Sequence, residues 1–192
     1  MTRDPRPVFE QVKSGLKIGA ILVVVCAALL VLASYLPIHR IQARIWHWKH
    51  GNRIRVGEFS VLVPNEWYVE SFEVAAGTQE IELFNTKGGR PFWGSITIVQ
   101  EPSRRNISLE DFSSSRRRSM ENLGMHVRET RQVTISGVNG LCLEGESAMA
   151  GFPVRNISCH VGANLSVEYI GGPLTASSFY SILDGFSKAS KG

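Results

Sequence analysis

The sequence predicts an α+β protein: one N-terminal transmembrane helix, then a mostly antiparallel sheet covered by two helices. Three observations carry this reading. Ile18 to Leu36 (IGAILVVVCAALLVLASYL) is an uninterrupted apolar run, and no charge falls between Lys17 and Arg40. From Glu58 onward, short β-rich segments follow one another across turns rich in Gly, Asn and Pro. Two stretches, Leu109 to Leu123 and Phe179 to Phe186, instead repeat apolar residues at helical spacing.

As a helix rising about 1.5 Å per residue, the apolar run crosses a hydrocarbon core of ~30 Å. A basic lead precedes it, as in both cleaved signals and anchors. Val31-Leu32-Ala33 before Ser34 loosely fits a cleavage site, so removal at Ala33 is the alternative. The run continues through Tyr35 and Leu36, which favours an uncleaved single-pass signal-anchor. Four Lys or Arg precede it and five follow within the next stretch, so the positive-inside rule leaves orientation open. The chain then divides into a basic tail (1–17), the anchor (18–36), a juxtamembrane segment (37–56) and one α+β domain (57–189).

The basic character belongs to the anchor's two ends. Before Ile38 there are four basic and two acidic residues; from Ile38 to Arg55 there are five basic and none acidic. The remainder carries 12 basic against 15 acidic residues, which excludes a nucleic-acid-binding face on the domain. In the segment HRIQARIWHWKHGNRIR, Trp46 and Trp48 stand among Arg40, Arg44 and Lys49. Tryptophan prefers the headgroup level and Lys or Arg can snorkel, so these five residues are expected at a membrane interface, with the lipid bilayer as partner. The alternative is a solvated linker. His47 and His50 are spaced i, i+3, but His39 supplies no convincing third ligand, and no metal site is expected.

Within the domain, Glu58 to Val63 reads as a strand ended by Pro64-Asn65, with Trp67 to Val69 a short continuation. Gln79 to Asn85 and Phe92 to Gln100 form a hairpin across Thr86-Lys87-Gly88-Gly89-Arg90. Ser108 with Asp111 three residues on is a capping-box variant, and Gly124 suits the residue after the helix. Met125 to Ile135, Leu141 to Ala148, Phe152 to Val161 and Leu165 to Ile170 are the next strands. Pro173 ends the sheet region. Phe179, Ile182, Leu183 and Phe186 then space a closing amphipathic helix. The order is β-β-β-α-β-β-β-β-α, and short turns make the sheet mostly antiparallel.

That order resembles the PsbP-like superfamily, including the DcrB-like periplasmic proteins. The residues that carry the likeness are Phe59-Ser60-Val61-Leu62-Val63-Pro64 before Trp67, the strand Ser95-Ile96-Thr97-Ile98-Val99, and the helix from Leu109 to Leu123. Val133-x-Ile135-x-Gly137-x-x-Gly140 and the closing helix complete it, over roughly 57–189. The resemblance implies a sheet-and-helix sandwich acting as a binding or assembly factor outside the cytoplasm. It supplies no shared catalytic set. A domain outside the membrane with the N-terminus inside, binding a protein partner, is therefore the expectation. Trp67, Phe92 and Trp93 are the expected contact residues. A cytoplasm-facing lipid-associated module and a hydrolase are the alternatives.

Cys142 and Cys159 are the pair that bears chemistry. If Ala150-Gly151 is a two-residue turn, they face each other at a non-hydrogen-bonded site, where side chains lie closest and a disulfide can form. That register puts Leu141 and Leu143 opposite in facing to Ile157, Cys159 and Val161. A three-residue loop would unite those five on one face and separate the cysteines. Neither H-E-x-x-H, G-x-S-x-G nor a P-loop occurs, so no catalytic residue, cofactor or metal is assigned. Ser, His160 and Asp184 could be assembled only on paper. Arg116-Arg117-Arg118 splay around a helix and cannot meet one ligand together.

Overall fold

The computed structural model describes residues 21–26, 38–86, 94–101, 107–149 and 151–189. The chain divides into two compact units, 1–38 and 39–192. In the first, residues 21–26 are helical. Among the described residues, no helix is long and apolar enough to cross a membrane. This corrects the transmembrane anchor expected over 18–36, and with it the single-pass, signal-anchor localisation. The rest of the run lies outside the described residues.

The second unit is α+β and holds two antiparallel sheets. The smaller has the order β1-β2-β10, from β1 (Arg53–Val56), β2 (Phe59–Leu62) and β10 (Phe186–Lys188). The larger has the order β3-β4-β5-β9-β8-β7-β6. Its strands are β3 (Trp67–Ala75), β4 (Thr78–Asn85), β5 (Ser95–Gln100), β6 (His126–Ile135), β7 (Val138–Met149), β8 (Phe152–Val161) and β9 (Leu165–Gly171). The helices are α1 (Ile38–His50), α2 (Leu109–Asn122) and α3 (Pro173–Asp184).

Local chemistry places most of these boundaries. Ser136-Gly137 and Ala76-Gly77 each take positive φ at both positions (52° and 81°; 50° and 82°), joining β6 to β7 and β3 to β4. Two left-handed residues in a two-residue loop match the twist of the flanking strands, which is why Gly occupies the second place. Ser108 caps α2, its hydroxyl oxygen accepting from the Asp111 N–H at 3.0 Å. At the other end Met125 N–H donates to the Met120 carbonyl and Gly124 N–H to that of Glu121, a Schellman closure. Pro173, expected only to end the sheet, occupies the first turn of α3, where its missing N–H costs nothing.

The helices cover opposite faces of the large sheet. Along β8 and β9, side chains alternate. Ile157, Cys159, Val167 and Tyr169 face α3, where Phe179 lies 5.6 Å from the Tyr169 ring. His160 faces α2, where Phe112 stacks at 5.2 Å. The α3 side is the main core. It joins Ile81, Leu83, Ile96 and Ile98 of the sheet to Phe179 and Ile182 of α3 and to Phe59 and Val61 of the small sheet.

Tyr169 and Tyr180 pack in or against this core and Tyr68 lies against α1, and burial raises all three phenols to about 12. Tyr169 also donates to the Gly172 carbonyl at 2.6 Å. The folded state thus holds these protons more tightly than the unfolded chain, whose tyrosines titrate near 10. Their contribution to stability is complete below about pH 10 and is lost as pH rises through about 12. Unfolding and phenolate absorbance should therefore rise together in that window. Phenolate from more than one of the chain's four tyrosines near pH 10 with the fold intact would show the phenols are not held.

Candidate functional site

The surface of clearest chemistry is α1. It follows the sequence order Ile-His-Arg-Ile-Gln-Ala-Arg-Ile-Trp-His-Trp-Lys-His, with Lys49 in its last turn complementing the helix dipole. Gly51, at φ 72°, ends it. One face docks on the domain. Ala43 is buried, and Trp46 packs against the core. His39 Nδ1 lies 2.9 Å from the Tyr68 hydroxyl, which donates to Gln42 Oε1 at 3.1 Å. His47 Nε2 lies 2.9 Å from the Trp67 carbonyl oxygen, and its Nδ1 lies 3.1 Å from Asn52 Oδ1. The His50 ring stacks on Trp46. His39 and His47 therefore fasten the helix to the domain, while His50 packs within the helix. The far face presents Arg40, Arg44, Trp48 and Lys49 to solvent, with Trp46 half-buried.

Cys142 and Cys159 are directly paired across β7 and β8, with Cα atoms 4.0 Å apart, and a disulfide joins them. That spacing belongs to the close, non-hydrogen-bonded pair of an antiparallel ladder. Met149 pairs with Phe152, so the hairpin closes on a two-residue turn. Leu143 then faces α2, not α3, yet is fully buried. Both faces of the sheet are covered here, so no apolar side chain is stranded by this register.

A polar cleft of about 500 Å³ lies between α2 and the sheet. Arg116 pairs with Glu168, and Asn156 donates to the same carboxylate at 3.1 Å. His160 Nδ1 is 3.4 Å from Ser166 Oγ. Arg117 and Arg118 are exposed, so the triple arginine forms no single patch. Sequence reasoning missed this layer, though a clue was present. Arg116 falls midway between Phe112 and Met120 at four-residue steps, so it is a charge on the helix's apolar stripe and needs a buried partner.

Of the expected contact residues, Trp67 is fully buried in the core and presents no surface. This corrects its assignment to a partner contact; β3 turns its ring inward at the strand's first residue. Phe92 and Trp93 lie outside the described residues. His160 and Asp184, once combinable on paper, are separated: His160 faces α2, whereas Asp184 ends α3 on the other side of the sheet. Among the described residues, no group of three or more His, Cys, Asp or Glu is placed to hold a metal.

Fold order, hairpin register and helix placement define a PsbP-like α+β sandwich, as the landmarks from Phe59 to Pro64 implied. No protein-family model matches the chain, and no curated protein matches it. Solved structures do. Cyanobacterial PsbP (CyanoP) from Synechocystis sp. PCC 6803 superposes with a TM-score of 0.50 and 14% identity, covering 71% of this chain and 91% of that one. LpqN of Mycobacterium tuberculosis, described as involved in cell envelope biogenesis, gives 0.46 and 13%, covering 70% and 88%. PA94, a Pseudomonas aeruginosa protein of unknown function, gives 0.42 and 13%, covering 67% and 88%. At such identities the likeness is one of fold.

Proposed function

We propose that this protein is an extracytoplasmic, non-enzymatic binding domain that assembles with a protein partner. The observation that carries the reading is the Cys142–Cys159 bond across the β7–β8 hairpin. Disulfides persist in oxidising compartments and are rare where thiols are kept reduced. A non-enzymatic role is supported by the dispersal of the histidine and carboxylate that could have cooperated, and by the sequence's lack of a hydrolase motif. The fold itself carries many functions, so the compartment rests on the cysteines.

Fusions after Gly192 test the compartment. Alkaline phosphatase becomes active only outside the cytoplasm, whereas a cytoplasm-only fluorescent protein reports the opposite. An active phosphatase fusion with a dark fluorescent one is expected. A fluorescent fusion with inactive phosphatase would overturn the reading.

A further inference from the structure

We infer that the outer face of α1 is a peripheral docking surface for an anionic lipid membrane. The helix carries two apolar stripes. The domain uses one, through Ala43 and Trp46. The other, Ile41, Ile45 and Trp48, follows i, i+4, i+7 spacing and is 46%, 48% and 84% exposed. Nothing in the fold of the domain requires this second stripe to be apolar. Arg40 and Arg44 flank it on one side and Lys49 on the other, all exposed. Between Ile38 and Arg55 the chain has five basic residues and no acid.

That arrangement has a specific complement. A flat apolar strip bordered by cations sits at the boundary of headgroups and acyl chains, with the indole at headgroup depth and the long basic side chains reaching the phosphates. Each Lys or Arg near an anionic surface strengthens binding about fivefold. A protein interface would instead deplete lysine at its centre and present aromatics in a closed pocket. The anchoring histidines matter here: His39 and His47 fix the helix's rotation, so the second stripe must face away from the domain. The inference is of a helix lying on the surface, and it stands whichever side of a membrane the domain occupies.

The test uses the full chain with Cys26→Ser and Ile45→Cys, labelled at position 45 with an environment-sensitive dye. A second protein carries the dye through Ser114→Cys, on the exposed side of α2. Each is mixed with phosphatidylcholine vesicles with or without phosphatidylglycerol, and with vesicles carrying a lipid quencher. The dye at 45 should enter an apolar, quenchable environment with anionic vesicles, and the dye at 114 should stay aqueous. Arg40→Glu, Arg44→Glu and Lys49→Glu together should weaken the response at 45 at least about tenfold, as should omitting phosphatidylglycerol. Circular dichroism checks that this variant is folded; its three sites are exposed. An aqueous dye at 45, an equal response at 114, or an unchanged response in the charge-reversed chain would each overturn the inference.

Discussion

Replacing both Cys142 and Cys159 by alanine should lower the unfolding free energy by about 3 kcal/mol, with the native sheet retained. The bond closes a loop of sequence separation 17, and a cross-link of that span restricts the unfolded chain by about that amount. Reductant should destabilise the wild-type protein by the same margin and leave the double variant untouched. That contrast separates the cross-link from the packing of two small side chains. Thiol titration supplies the second readout. The unreduced, denatured protein should show one reactive thiol, Cys26, among its three cysteines. Three reactive thiols in protein isolated without reductant, with stability indifferent to reduction, would remove the bond and the compartment argument built on it.

Trp67→Ala should cost about 3–5 kcal/mol, read as a lower urea midpoint. Trp67 is fully buried and among the largest such side chains, at the start of β3 where the sheet meets α1. Its indole Nε1 has no hydrogen-bond partner among the described residues. Trp67→Phe should therefore lose volume without breaking a hydrogen bond and cost clearly less than the alanine change. Its backbone carbonyl, which faces His47, survives either change. A loss below about 1 kcal/mol for Trp67→Ala would place the ring at the surface and restore it as a contact residue.

Much of the domain was legible because the relevant chemistry is local. Ser108, Asp111 and Gly124 announced α2, and the structure uses all three at its ends. Alternation marked β4, and β-rich runs between turns marked β5, β8 and β9. Four features were not legible. β1 and β10 are 4 and 3 residues long, too short for any period to register, and exist because β2 pairs with both. Phe186 continued the helical spacing of α3, but Gly185 caps that helix and Phe186 opens β10 opposite Val61. β3 runs on to Ala75, beyond the Trp67 to Val69 stretch expected, because it pairs with the whole of β4 across a bulge near Val69. The polar layer beneath α2 was invisible because its members come from α2, β8 and β9.

The cysteine pair shows the division most clearly. The sequence by itself determined two registers, one uniting Cys142 with Cys159 and one uniting the apolar residues on a single face. It determined the ends of α2, the turn at Ser136-Gly137, the mild acidity of the domain and the basic, tryptophan-bearing segment before it. The tertiary structure decided between the registers, because α2 covers the face to which Leu143 turns and removes the penalty for placing it there. It decided that Trp67 is core and that α1 has an outward stripe, because each depends on which surfaces meet. Periodicity records that a face is apolar; only the assembled layers settle which apolar face is buried.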